Sequence, residues 1–392
     1  MEICKNAQLC TGCGLCSTVC PAGCIVMTEN SEGFFYPQVR EEQCLHCESC
    51  VKKCPVNRSG ELVNPNGDER CFAFQNREED VLRESSSGGF FTAAARAVLD
   101  SGGVVYAAET EGSSRVRHVR IEREEALAGA RKSKYLQSEA WGVYRSVRDD
   151  LAAGREVLFA GTPCQVAAVR SLTDFGALFT IDLLCHGVAS RKVVERYLAM
   201  LGDSRGQAIR SFQFRHKMNR GGVIIRSVFD DGTEYTANSL EDPFMRGYNN
   251  NLFLRRSCYA CPFAGTARCG DVTIGDFWGL GVMRRTAIRT IDGVNFVKIN
   301  SKQGQKLFDR ILASQNVTVE EHSLAEAKLR NRTLTKPMRY TKRRVTFFEK
   351  LDSVRFDELV FGLTKHYEAE RKRGELRDRV IRKAIKLTKG WE

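Results

Sequence analysis

At 392 residues, with 42% hydrophobic and 28% charged residues, the chain has the composition of a folded globular protein of two or three domains. No apolar run approaches the roughly 20 residues needed to span a bilayer, and "MEICKNAQLC" lacks the basic-then-apolar pattern of a signal peptide. A cytoplasmic location is therefore expected, where sixteen cysteines point to metals or catalysis rather than disulfides. The formal charge of +12 is compatible with an acidic partner or a membrane surface, and no nucleic-acid partner is expected.

The first 57 residues hold two copies of one spacing. "LCTGCGLCSTVCPAGC" places Cys10, Cys13, Cys16 and Cys20 before Pro21, and "CLHCESCVKKCP" places Cys44, Cys47, Cys50 and Cys54 before Pro55. Both are C-x2-C-x2-C-x3-C-P, the bacterial ferredoxin pattern in which the fourth cysteine serves the other 4Fe-4S cluster. One cluster is assigned Cys10, Cys13, Cys16 and Cys54, and the second Cys44, Cys47, Cys50 and Cys20. Zinc sites use C-x2-C pairs but do not need three cysteines at two consecutive gaps, twice, each closed by Cys-Pro. Cys4 and Cys24 read as buried structural thiols, His46 as a solvated side chain, and "GFFYPQV" as a strand shielding the clusters.

Residues 58–70, rich in Asn, Gly and charge, read as a linker. Strands and helices then alternate, which predicts an α/β body (α+β overall) with parts at 71–150 and 151–337. "SSSGGFFTAAARAVL" runs serines and glycines into a helix. Ser86, Ser87, Gly88 and Gly89 either offer hydroxyls and N–H groups to an anion such as a pyrophosphate, or simply cap the helix. "GGVVYAAE" and "RVRHVRIE" read as strands. "KSKYLQS" offers Lys134, Tyr135, Gln137 and Ser138, with Ser138 placed to cap an amphipathic helix carrying Val143, Tyr144, Val147 and Leu151 on one face. "EVLFAG", the helical "PCQVAAVRSL" and "ALFTIDLLC" form a βαβ unit with parallel strands. "VIIRSVFDDGTEYTA" reads as a hairpin.

Cys164 and Cys185 follow those two parallel strands, so both emerge at the carboxyl edge where open α/β sheets bind ligands. Cys258, Cys261 and Cys269 supply further thiols. The five can make a metal site or be buried thiols, and a zinc site of Cys258, Cys261, Cys269 and His186 also fits by residue type. Beside two electron-carrying clusters, a third 4Fe-4S cluster is the more economical reading. "GDFWG" after the strand "DVTI" offers Asp276 and two aromatics, or a core turn. Arg215, His216, Lys217 and Arg220 read as a solvated charge run before a site for an acidic substrate. Neither G-x-G-x-x-G nor a P-loop is present. From residue 338 a basic helical tail follows to 392. Its last segment sets Val380, Ile381, Ala384, Ile385 and Leu387 against Arg and Lys, as a packed helix or a dock for an acidic partner or membrane surface.

"SSSGGF", "KYLQS", "LFAGTPCQ", "DLLCHGV", "CYACPF" and "DVTIGDFWG", in this order behind a two-cluster head, resemble the coenzyme F420 hydrogenase/dehydrogenase beta-subunit family over about residues 1–330. The resemblance implies an iron–sulfur flavoprotein that exchanges hydride between a small molecule and FAD, then moves single electrons through clusters to an external redox protein such as ferredoxin. It implies Cys164, Cys185, Cys258 and Cys261 as ligands of the third cluster, with Cys269 spare. Flavin would be held by the Ser-Gly-Gly segment and by the loops around Thr162, Pro163, Gln165 and His186, with Lys134, Tyr135, Gln137, Ser138 and Asp276 nearby. His186 is the candidate acid or base. "GDFWG" departs from the archaeal serine-containing turn, which sets the chain nearer the bacterial branch, whose genes often lie beside surface-polysaccharide genes. The rival expectation is a non-catalytic electron-transfer or adaptor subunit holding zinc or a cluster and no flavin.

Overall fold

The computed structural model describes residues 2–64, 70–172, 176–218, 223–283, 285–367 and Leu376. The ferredoxin head is a hairpin of β1 (Ile25–Glu29) and β2 (Phe35–Val39), flanked by short helices Leu15–Val19 and Ser49–Lys52 that each close a cysteine loop. Both loops need left-handed backbone at the second and fourth residues after their first cysteine. Gly12 and Gly14 supply it in one, at φ 63° and 76°. His46 and Glu48 supply it in the other at φ 49° and 59°, where each non-glycine residue costs about 1 kcal/mol.

The body is built on β3 (Cys71–Asn76), β4 (Val104–Glu111), β5 (Arg115–Ile121), β6 (Val157–Gly161), β7 (Leu178–Leu183), β8 (Ile209–Lys217), β9 (Val223–Phe229), β10 (Glu234–Ala237), β11 (Val272–Asp276), β12 (Asn295–Ile299) and β13 (Val317–His322). One eight-stranded sheet runs β13-β3-β12-β11-β7-β6-β4-β5. Its four middle strands, β11, β7, β6 and β4, are parallel, and the pairs at both edges are antiparallel. Strands covered on both faces read as unbroken apolar runs, and β6 is buried along its whole length. Leu158 and Ala160 face helices Phe90–Leu99 and Lys302–Ser314, whereas Val157 and Phe159 face helices Tyr144–Ala152 and Pro163–Leu172. A second, antiparallel sheet β10-β9-β8 packs with helices Arg191–Asp203, Pro243–Asn249, Arg343–Lys350 and Phe356–Thr364.

The mixed α/β class, the βαβ unit and the 223–237 hairpin are as expected. Three expectations change. A boundary near residue 150 does not divide the body, because β4 pairs with β6 and β3 lies between β13 and β12, so both predicted parts share one sheet. Ser138 caps no helix: the helix begins at Tyr144, and the Ser138 hydroxyl is 2.6 Å from His118 Nδ1. The linker is structured over its first half, where helix Ser59–Leu62 buries Leu62 and the Asn64 N–H donates to Arg268 O at 2.7 Å. Residues 65–69 lie outside the described residues.

The start of the basic tail is part of the body, with Phe347, Leu351, Phe356 and Val360 in its core. The amphipathic segment with Val380 to Leu387 lies outside the described residues, as does Arg220. No described helix is long and apolar enough to cross a membrane.

Candidate redox site

Four cavities run from the sheet edge to the surface of the head. The outermost is lined by Cys20, Cys44, Cys47 and Cys50, and the next by Cys10, Cys13, Cys16 and Cys54. The cross-over of Cys20 and Cys54 that the spacing predicts is thus the grouping the fold makes. Cys24 and Cys4 are buried, as expected, but each also lines one of these cavities; the Cys24 and Cys20 sulfurs are 3.4 Å apart. His46 is exposed on the outer loop beside Glu41 and Cys44, and these three offer ligand atoms within 4.8 Å of one another.

The third cavity lies at the carboxyl ends of β6 and β7 and is lined by Cys164, Cys185, Cys258 and Cys261. The parallel pairing brings Cys164 and Cys185 to one edge, and the 3-10 turn Arg256–Ala260 presents Cys258. Burial pushes the Cys258 and Cys261 thiols up to about 11 and about 12, and raises Cys164 and Cys185 as well. Four such thiols ionise only if a cation compensates them. Cys269 is turned away and donates to Pro163 O at 3.2 Å, so Cys258, Cys261, Cys269 and His186 are not brought together as a zinc set. Among the described residues no three thiols close to within 4.8 Å, whereas tetrahedral zinc with bonds of about 2.3 Å would hold its sulfurs about 3.8 Å apart. A wholly buried pair, Arg268 Nη2 to Asp182 Oδ1 at 3.0 Å, braces this wall.

The fourth cavity, of about 490 Å³, lies over the same sheet edge. Of the predicted cofactor residues, Ser86, Ser87, Gly89, Lys134, Tyr135, Ser138, Thr162, Gln165 and Asp276 line it. Gly88, Gln137 and Pro163 do not. A Cβ on Gly88 would lie 2.1 Å from Phe74 O, so that glycine lets the loop pack on β3. Gln137 turns to the head, where its amide donates to Thr11 O and Gly12 O at 3.0 and 3.1 Å. Pro163 walls the third cavity. Burial pushes Lys134 down to about 7, although its Nζ donates to Gly129 O and Arg131 O.

His186 stands between the third and fourth cavities. Its Nε2 is 2.8 Å from Asn251 Oδ1, its ring stacks on Tyr248, and burial pushes it down to about 4. The imidazole is therefore neutral near pH 7, which of the two roles expected of it, acid or base, disfavours that of a cationic acid.

Residues that sequence reasoning missed are cations in unlike guises. Arg215 and Lys217 are not a solvated run: Arg215 Nη1 donates to Asp276 Oδ2 at 2.6 Å and Lys217 Nζ to three backbone carbonyls. Arg255, wholly buried, donates to Cys10 O, Gln137 Oε1 and Phe35 O. Only the even spacing of Arg215 and Lys217 on a strand could have signalled a shared inward face.

Residues 9–58 match the 4Fe-4S dicluster domain, and residues 154–324 match the family described as the C terminus of the coenzyme F420 hydrogenase/dehydrogenase beta subunit. An uncharacterized ferredoxin of Methanocaldococcus jannaschii is 37% identical over 57 residues, covering 14% of this chain and 73% of that protein. A chain of the F420-reducing NiFe hydrogenase complex from Methanosarcina barkeri covers 71% of this chain and 91% of itself at 18% identity, with a TM-score of 0.48. The protein therefore joins a 4Fe-4S dicluster domain to a region that matches the C terminus of the coenzyme F420 hydrogenase/dehydrogenase beta subunit, and it is an iron–sulfur protein of electron transfer.

Proposed function

We propose that the chain is an FAD-dependent oxidoreductase that passes electrons between a small hydride donor or acceptor and an external one-electron carrier such as ferredoxin, through three 4Fe-4S clusters. The observation that carries this is the sharing of walls. Thr162, Gln165, Cys185 and His186 line both the large cavity and the body's cysteine cavity, and Thr11 and Cys13 line both that cavity and the first cysteine set of the head. A redox centre in each would have its neighbour one wall away.

The large cavity fits a flavin dinucleotide by its donors. Ser87 Oγ, Thr92 Oγ1, Arg131 Nε and Arg215 Nε are buried without a partner among the described residues, and all four residues line it. Unmet donors of this kind are costly unless an anionic ligand meets them. When bound, flavin supplies the exchange between two-electron hydride chemistry and one-electron steps. The chain's own part is to hold it. Gln165 accepts from Thr162 N and Oγ1 through Oε1 and donates to Ser138 O, fixing the edge that faces the cysteines. The four half-buried cysteines Cys164, Cys185, Cys258 and Cys261 would ligate the third cluster.

Anaerobic purification with metal, sulfide and flavin analysis tests this. About 12 irons and one FAD per chain are expected from three four-iron clusters. About 8 irons with one zinc and no flavin would establish the adaptor reading instead. Cys258→Ala should remove about four irons and Cys269→Ser none; an unchanged count in Cys258→Ala rejects the ligand set.

A further inference from the structure

The loop Ser85–Gly89 enters helix Phe90–Leu99 with an unusual division of its polar groups. All four carbonyls from Ser86 to Gly89 are taken. Ser86 O accepts from Arg215 Nη2 at 3.0 Å and Ser87 O from Lys217 Nζ at 2.7 Å; Gly88 O accepts from Asn76 N at 2.8 Å and Gly89 O from Ala93 N at 3.2 Å. The N–H groups of the same four residues find no acceptor among the described residues. Ser87 Oγ and Thr92 Oγ1, both on side chains more than nine-tenths buried, are also without partners, and both residues line the large cavity. Successive free N–H groups before a helix form an anion-binding concavity.

The two cations come from β8, a strand of the other sheet. Arg215 and Lys217 are two apart and share a face, and the β8–β9 register is irregular between Gln213 and His216, a feature that re-aims side chains. Lys217 Nζ also binds Leu82 O at 2.7 Å and Asp292 O at 2.6 Å, tying the loop to its preceding helix and to the 290–293 turn. Gly293, at φ 84°, makes room: a Cβ there would lie 3.2 Å from Lys217 Nζ and from Ser87 Cα. Asp276 pairs with Arg215, while Lys217 meets only carbonyls, so the loop is pulled by positive charge from one side.

We propose that Arg215 and Lys217 are positioning residues that hold the carbonyls of Ser86 and Ser87 back, so that the N–H groups of the cavity-lining residues Ser86, Ser87 and Gly89 and the Ser87 hydroxyl grip a diphosphate. The inference rests on the flavin reading and names the part of the dinucleotide this loop would take. It separates phosphate recognition from ring recognition, which a merely structural role would not do.

The test titrates the purified, flavin-stripped full chain with FAD, ADP and riboflavin. Lys217→Met should weaken FAD and ADP at least about tenfold, the weight of one charge-assisted hydrogen bond, and riboflavin by less than about twofold. Lys217→Arg should recover much of the ADP affinity. Gly293→Ala, which crowds the same latch from the opposite side, should repeat the pattern if Lys217→Met folds poorly. Equal losses for FAD and riboflavin, or unchanged ADP affinity in both variants, overturn the proposal. If the wild-type chain binds neither FAD nor ADP, the flavin reading falls and takes this inference with it.

Discussion

Arg255 is the most informative single substitution, because it fastens the head to the body where the first and third cysteine sets meet. Its guanidinium donates to Cys10 O at 3.0 Å, Gln137 Oε1 at 2.9 Å and Phe35 O at 2.8 Å, and lies 4.1 Å from the Tyr36 ring centre. Hydrogen bonds from a charged group contribute about 1.5–3 kcal/mol each, and a desolvated cation–π contact about 2. Against that gross gain stands the cost of burying the charge, several kcal/mol. Arg255→Met removes both terms but leaves three partly buried acceptors unmet, and the net loss should be about 3–5 kcal/mol. The other ties across the junction remain, among them Gln137 to Thr11 and Gly12, and Tyr144 Oη to Cys13 O at 3.1 Å. The variant should therefore fold and keep its head irons while the junction opens more often. Amide hydrogen exchange at residues 10–14 and 34–36 should accelerate at least about a hundredfold, since each 1.4 kcal/mol is about tenfold. Arg255→Lys keeps the charge without the fork and should fall between. Exchange within about threefold of the wild type would refute the assignment of the junction to Arg255.

His118 is held between Ser138 Oγ and Ala160 O and stacked on Phe159, and burial, helped by Lys134, pushes it down to about 4. The unfolded chain takes up that proton near pH 6.5, so stability is full above about 6.5 and falls as pH drops toward 4, by roughly 3 kcal/mol for this group. His118→Gln should lower the acid slope of the denaturant midpoint over that interval; an unchanged slope counts against the buried neutral imidazole. Cys47 is the exposed member of the motif cysteines, beside the exposed Leu45. Under a chelator and mild oxidant, iodoacetamide should mark Cys44 and Cys47 before Cys164 or Cys185, and the reverse order would contradict the placement of the outer set.

The parts of the site that were legible in the sequence are those whose geometry is local or set by a rule of topology. The ferredoxin ligands fall within short loops, so spacing alone groups them. Cys164 and Cys185 were placed together because each follows a strand of one parallel pair. Arg215 and Lys217 were opaque because their environment is made by carbonyls 129 and 130 residues earlier in the chain, those of Ser86 and Ser87. The place of Gln137 is set by how head and body pack against each other, which neither segment shows alone, and no boundary falls near 150 because strand order in a sheet is not written in any one segment. Within the head, the two copies of the repeat are alike in conformation and unlike in composition. In the first loop a Cβ on Gly12 would lie 2.7 Å from the Arg255 guanidinium, and one on Gly14 would lie 2.6 Å from Trp141. In the second loop the equivalent positions bear His46 and Glu48, exposed to solvent. Two loops of the same conformation thus differ in glycine content because only the first is pressed against the body. That asymmetry fixes the order in which the two sets stand: the set with Cys13 lies against the body, and the set with the exposed Cys47 lies on the far side.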